Sequence, residues 1–118
     1  MFRFEKLEIW KLAISYADEM YDIIKTFPES EKYNITDQLR RASLSISNNI
    51  AEGSGATSKK SFSSYLDISV SSCFETVNIL HFAKLRKYIE EPKRDEMYNK
   101  AEVLVKRIRS FKKSLKTP

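Results

Sequence analysis

Apolar side chains recur every three or four residues along most of the chain, which is the spacing typical of α-helices. In the first segment, one apolar row begins at Leu7 and a second begins beside it at Ile9. The opposite side carries polar and charged residues: Glu8, Lys11, Ser15, Asp18, Asp22 and Lys25. Pro28 ends this first helix, because the residue before a proline avoids helical angles.

The second and fourth predicted helices each have a single inward apolar face. Asn34 or Thr36 is expected to cap the second helix, because either side chain can accept a hydrogen bond from an unpaired backbone N–H. Its inward residues are Ile35, Leu39, Ala42, Ile46 and Ile50. Pro92 suits the first turn of the fourth helix. The inward residues of that helix are Met97, Ala101, Leu104, Ile108, Phe111 and Leu115.

The third predicted helix is apolar on more than one face. It begins at Thr57 or Ser58 and runs to about Lys87. Between positions 66 and 83 only Asp67 and Glu75 are formally charged. A helix that is weakly polar all round is buried on most sides. Since a small four-helix monomer exposes one side of every helix, this surplus of apolar surface predicts a subunit interface.

These patterns define an all-α fold. No segment keeps the alternation of a β-strand, and the predicted loops are short, as in antiparallel bundles. The length of 118 residues suits one domain. We therefore predict an up-and-down antiparallel four-helix bundle that forms a single domain over residues 1–118. No apolar run approaches the roughly 18 residues of a membrane span. Cys73 is the lone cysteine, which favours a buried, reduced thiol and a cytoplasmic location.

Both glycines of the chain lie in the stretch SNNIAEGSG, residues 47–55. A phosphate-binding loop would need a strand before the glycines and a Gly-Lys-Ser/Thr sequence. An amphipathic helix precedes them instead, and Lys59 does not follow a glycine. The stretch is therefore interpreted as a corner between two helices. Gly53 is predicted to adopt the left-handed conformation that closes a helix without a Cβ clash.

Glu52 is less easily explained, because an acidic residue near a helix C-terminus opposes the helix dipole. Arg41 lies eleven residues earlier, on nearly the same face of the helix. One interpretation is a contact between Glu52 and Arg41 across a subunit boundary. The other is a glutamate that is simply solvated.

Candidate catalytic and metal-binding groups are few. His81 is the only histidine, whereas metal sites and catalytic triads usually need further nitrogen or thiolate groups. We expect it to be a hydrogen-bonded, partly buried residue. The many serines lack a base that could activate them. The sequence therefore predicts no enzyme activity, no metal and no cofactor.

The net charge of +5 belongs to the C-terminal third of the chain. Residues 76–118 hold twelve basic and five acidic side chains, and no acid follows Glu102. The basic residues after that point are Lys106, Arg107, Arg109, Lys112, Lys113 and Lys116. They are either a solvated face that complements the helix dipole or a surface that contacts the phosphate backbone of RNA or DNA. Because no base-reading motif is visible, such binding would tolerate many sequences.

Three segments carry a family resemblance that covers nearly the whole chain: FEKLEIWKLA (4–13), FPESEKYNITDQLRRASLSISNNIAEGSG (27–55) and KKSFSSYLDISVSSCFETVNIL (59–80). The specific features are Phe27-Pro28 with Glu31 and Tyr33, Gln38-Leu39-Arg40-Arg41-Ala42, Ser45-Ile46 and Asn49-Ile50-Ala51-Glu52-Gly53. With these features the chain resembles the four-helix-bundle proteins encoded in intervening sequences of 23S rRNA genes.

The resemblance implies a bundle that assembles as a homopentameric ring. The family includes accessory proteins of diversity-generating retroelements, which bind a reverse transcriptase and nucleic acid. The resemblance implies no catalytic residues for this chain. Two functions stay open: a bacterial, non-enzymatic ring that binds RNA or DNA as accessory to an RNA- or retroelement-related enzyme, and a protein-binding scaffold whose charge only aids solubility.

Overall fold

In the computed structural model, which describes residues 1–115, the chain folds into four helices that run up and down. Their bounds are Glu8–Ile24 (α1), Ile35–Ser54 (α2), Lys59–Leu85 (α3) and Glu91–Leu115 (α4). Each helix packs against its neighbours in sequence, and α4 returns to pack against α1. The described residues contain no strand. The predicted all-α four-helix bundle is confirmed.

The core forms where the apolar faces of the four helices meet. Its largest fully buried apolar side chains are Met20, Leu39, Ile46, Ile50, Leu66, Leu80, Met97, Leu104 and Ile108. All of them belong to the apolar rows that the sequence pattern identifies. Burying a side chain of this size contributes roughly 1.5–3 kcal/mol, so these side chains stabilise the bundle substantially.

Small hydroxyl side chains line the contact between α2 and α3. The Ser69 hydroxyl donates a hydrogen bond to the Ile46 carbonyl at 2.9 Å, and the Ser45 and Ser72 hydroxyls lie 2.8 Å apart. These side chains let the two helices approach closely, and the hydrogen bonds offset the cost of burying polar groups. The serines therefore have a structural role at this contact, as their small size predicts.

The helix ends agree with the sequence at two positions and differ at a third. The Ser58 hydroxyl accepts a hydrogen bond from the Ser61 N–H at 3.1 Å and so caps α3. Pro92 lies in the first turn of α4. The predicted side-chain cap of α2 is wrong, because the Asn34 side chain accepts instead from the Gln38 amide at 3.1 Å. Thr36 lies inside the helix, where its buried hydroxyl has no hydrogen-bond partner.

Gly53 does not adopt the predicted left-handed conformation. Helix α2 continues through it to Ser54, and no glycine of the chain has a positive φ. A Cβ atom added to Gly53 would lie 2.7 Å from Cδ1 of Phe62 and 2.8 Å from Cβ of Tyr65. The glycine is therefore required by the close approach of α3, and the prediction of a left-handed helix closure there is wrong.

The left-handed conformation occurs instead at Lys87, just after α3, with a φ of 65°. The Tyr88 N–H donates to the Ala83 carbonyl at 2.8 Å, and the Lys87 N–H donates to the Lys84 carbonyl at 2.9 Å. This pair of bonds is the Schellman motif that satisfies the last carbonyls of a helix. The chain thus closes α3 in a left-handed conformation without a glycine.

The lone cysteine is part of the core. The Cys73 side chain is fully buried, and burial raises the pKa of its thiol from 9.0 to about 11. The thiol is therefore protonated near neutral pH and unsuited to act as a nucleophile. Nearby, the Tyr16 hydroxyl lies 2.8 Å from the Thr76 hydroxyl, so both buried polar groups are satisfied.

None of the four helices in residues 1–115 combines the length and the hydropathy that crossing a membrane requires.

Candidate nucleic-acid interface

Three of the C-terminal basic residues share one side of α4. Lys106, Arg109 and Lys113 are spaced by three and four residues, so they follow each other along one face of the helix. All three are exposed. None of them takes part in an ion pair within the described part of the chain. Their charges are therefore available to a ligand.

These three side chains border a groove between α3 and α4, which we call the α3–α4 groove. It has a volume of about 700 Å³. Its apolar lining comes from both helices: Phe74, Val77, Ala101 and Val105. Tyr98 and Glu102 also line it. The groove therefore combines apolar surface with three cations and one carboxylate.

Phe74 is the most prominent apolar group of this groove. Its side chain is 56% exposed although it lies on a helix whose other face is core. The Arg109 guanidinium carbon lies 5.6 Å from the centre of the Phe74 ring. At this distance the cation is attracted to the face of the ring. Arg109 therefore links the basic row of α4 to the aromatic surface of α3.

The remaining described basic residues of this run are engaged elsewhere. Arg107 forms an ion pair with Glu8 of α1. The Lys112 ammonium lies 2.7 Å from the Asp67 carboxylate of α3. Exposed pairs of this kind contribute up to about 1 kcal/mol each. Arg107 and Lys112 thus fasten α4 to its neighbours. Lys116 lies outside the described residues.

The residues of the helix corner do not form the contact that the sequence left open. Arg41 pairs with Asp37, one turn earlier, at 3.0 Å. Glu52 is exposed and makes no ion pair in residues 1–115. The Asn49 amide donates to the Ser45 carbonyl at 2.8 Å. Within one protomer Glu52 is therefore solvated, and its contact with Arg41 of another subunit stays a prediction.

His81 lies on the surface of α3, next to Tyr98 of the α3–α4 groove. It is exposed rather than partly buried as predicted, but it has partners. Its Nδ1 atom lies 3.2 Å from the Arg94 guanidinium. The centre of its ring lies 5.9 Å from the centre of the Tyr98 ring, and the two rings are arranged in a T shape. Across the described ranges, no three His, Cys, Asp or Glu side chains come close enough together to hold a metal ion.

Comparison with solved structures places the bundle in a known class. It is similar to a protein from Bacteroides thetaiotaomicron described as being of unknown function and from the S23 ribosomal protein family. The two structures agree with a TM-score of 0.82 at 23% sequence identity, over 89% of this chain and 98% of the other. That likeness establishes the shared fold.

Sequence comparison then identifies the family. Residues 5–110 match the family described as 23S rRNA-intervening sequence protein, and the chain belongs to that family. The family resemblance that the motifs predict is thereby confirmed. A search of curated protein sequences gives no match.

Proposed function

We propose that this protein is a non-catalytic oligomeric ring that binds the phosphate backbone of RNA or DNA through Lys106, Arg109 and Lys113. One observation supports this proposal above all: three exposed cations lie in a row on α4, and none has a carboxylate partner among residues 1–115. The three positive charges repel one another, and negatively charged phosphates bound between them would reduce that repulsion. Binding also releases the counterions condensed on the nucleic acid.

The row formed by Lys106, Arg109 and Lys113 is long enough to contact several phosphates. With a rise of 1.5 Å per residue, Lys106 and Lys113 are separated by about 10 Å along the axis of α4. Side chains of this length can contact several neighbouring phosphates of one strand. Contacts of this kind fix position without reading bases, so we expect RNA and DNA of different sequences to bind similarly.

Apolar surface on α3 supports the assembly. Ile68 is 48% exposed and Phe82 is 43% exposed. They lie fourteen residues apart, close to four helical turns, and so share one side of α3. Large exposed apolar groups on one side of a helix are typical of contacts between subunits. The family resemblance implies five subunits, and a ring would repeat the basic row in each one.

Such a ring fits an accessory role. The resemblance to accessory proteins of diversity-generating retroelements points to an RNA- or retroelement-related enzyme as the partner, in the bacterial cytoplasm. In this role the ring would hold the nucleic acid while the partner carries out the chemistry.

Replacing Lys106, Arg109 and Lys113 together by Gln tests the binding surface. We expect affinity for RNA and duplex DNA to fall at least tenfold. The logarithmic salt dependence for duplex DNA should flatten by about 0.9 for each phosphate contact removed. Fluorescence anisotropy with labelled RNA and DNA at two or more salt concentrations measures both quantities.

The matched control replaces Arg107 and Lys112 by Gln, because these residues lie on the same helix but are held in ion pairs. We expect it to keep most of the salt dependence of the parent protein. If the triple variant binds with the affinity and salt slope of the parent, the basic row is not the binding surface. If the parent binds neither RNA nor DNA at low salt, the protein-binding scaffold becomes the better interpretation.

The assembly has its own test. We expect light scattering on a sizing column to give a mass several times the 13.8 kDa of one chain. Phe82→Glu should lower that mass, because a carboxylate would be buried without a partner at the contact. Tyr33→Glu, at a fully separate exposed aromatic residue, should leave it unchanged. A parent protein that is monomeric at micromolar concentration would refute the ring.

A further inference from the structure

We infer that the α3–α4 groove binds single-stranded nucleic acid, with a base stacked at Phe74 and the adjoining phosphates held by Lys106, Arg109 and Lys113. This inference rests on the proposed function and adds to it the kind of nucleic acid that is bound. The observation that carries it is an exposed aromatic ring placed directly beside the row of free cations.

An exposed aromatic ring beside a row of cations is typical of sites that bind single-stranded nucleic acid. Such sites combine a positively charged groove for the backbone with aromatic side chains on which bases stack. Here the Phe74 ring offers the stacking surface, and Arg109 lies against it at 5.6 Å. The guanidinium adds a planar cationic group of its own beside the ring. Both parts of a single-strand site therefore meet at one point.

A second aromatic residue, Tyr98, also lines the groove. The Arg94 guanidinium packs against its ring with the carbon 5.8 Å from the ring centre, and it is itself paired with the Asp95 carboxylate at 2.7 Å. Tyr98 is partly exposed. Tyr98 thus adds a second, partly exposed aromatic ring to the groove beside that of Phe74.

The groove suits a single strand better than a duplex. In a duplex the base faces are covered by neighbouring base pairs, so only its phosphates could use this surface. The Phe74 ring would then keep its contact with water. A flexible single strand can turn a base into the groove and place its phosphates on the basic row at the same time.

The apolar surface of the groove also argues against an acidic amphipathic helix as the ligand. Such a helix binds through a row of apolar contacts over several turns. In this groove Ala101 is buried and Val77 and Val105 are half-buried, so the apolar area on offer is mainly the Phe74 ring with part of Tyr98. Two separate rings suit stacked bases better than the continuous apolar row of a helix.

Phe74→Leu tests this inference, since it removes the aromatic face and keeps an apolar side chain at an exposed position. We expect affinity for a labelled 15-nucleotide oligouridine to fall about tenfold, within the range measured for loss of one base stack. Affinity for a duplex of the same length should change less than twofold. Fluorescence anisotropy at one fixed salt concentration measures both.

Tyr33→Leu is the matched control. Tyr33 is also exposed and also has a cation against its ring, Lys32 at 5.5 Å, but it lies in the connection between α1 and α2. We expect its binding to equal that of the parent. The parent should also bind the single strand more tightly than the duplex.

Several results would overturn the inference. One is a Phe74→Leu protein with full affinity for oligouridine, or with equal losses for single strand and duplex. Another is a Phe74→Leu protein whose mass on the sizing column falls, because the occupant of the groove would then be a second copy of the chain. If the parent binds duplex and single strand alike and Phe74→Leu changes neither, the inference fails while the proposed function stands. If the parent binds neither, both fail.

Discussion

Gly53→Ala is expected to lower the free energy of unfolding by about 1 kcal/mol, the balance of two opposing effects. The new Cβ would approach Cδ1 of Phe62 to 2.7 Å and Cβ of Tyr65 to 2.8 Å. The Phe62 ring can turn aside, but the Tyr65 Cβ is fixed to the backbone of α3, so the two helices must separate. Overpacking of this kind costs typically 1–3 kcal/mol. The higher helix propensity of alanine offsets about 1 kcal/mol of that cost.

The matched control is Gly55→Ala, two residues later. Its φ of −90° suits any residue, and the nearest atom to an added Cβ is the Glu52 carbonyl oxygen at 3.6 Å. We expect its stability to equal that of the parent or to exceed it slightly. Urea denaturation of the three proteins, followed by circular dichroism, measures the differences. A Gly53→Ala protein as stable as the Gly55→Ala protein would contradict the close approach of α2 and α3.

The largest expected effect is that of Leu66→Ala, which should lower the free energy of unfolding by about 3 kcal/mol. Leu66 is fully buried on the core face of α3. Truncating a buried leucine removes its transfer free energy and leaves a cavity that its neighbours fill only partly. Since domains of this size are stable by roughly 5–15 kcal/mol, the variant should still fold but should unfold at much lower urea concentration.

Leu85→Ala is the control for this substitution, because it makes the same chemical change in the same helix. Leu85 is 75% exposed at the end of α3. We expect its free energy of unfolding to change by less than about 0.5 kcal/mol, as is usual for surface positions. Equal effects at the two positions would show that the α3 face assigned to the core is wrong.

Much of the fold could be predicted from the sequence because it depends on local patterns. The spacing of apolar residues identifies the four helices and their inward rows, and the Ser58 cap and Pro92 mark two helix starts. Gly53 shows the limit. Its requirement comes from Phe62 and Tyr65, which lie across a turn on another helix. From the sequence alone, a glycine that adopts a positive φ cannot be distinguished from one that makes room for a neighbouring helix.

The candidate site shows the same division between local and distant information. The spacing of Lys106, Arg109 and Lys113 places them on one face of α4 without any knowledge of the fold. The partners of Arg107 and Lys112 are Glu8 and Asp67, which lie 99 and 45 residues away. The sequence alone therefore could not separate the paired cations from the free ones. The apolar pattern of α3 predicts that Phe74 faces inward like its apolar neighbours, which is wrong: the ring is 56% exposed beside Arg109.

The Asp37–Arg41 ion pair is a case in which a local signal existed and was missed. Acidic and basic residues four apart on a helix are neighbours on its surface. That rule alone predicts that the two side chains pair, and in the structure they lie 3.0 Å apart. Because Arg41 is held by Asp37 within its own helix, it is not the partner of Glu52 within one protomer.

The seam between α1 and α4 has a consequence for the order in which the bundle folds. Among α1 to α4 in residues 1–115, every other contact joins helices that are neighbours in sequence, whereas this one closes a loop that spans nearly the whole chain. The ion pairs from Glu8 to Arg107 and from Glu19 to Lys100 both cross it. Since contacts between distant residues lose the most chain entropy as they form, we expect the seam to close last and to be the first place where the bundle opens.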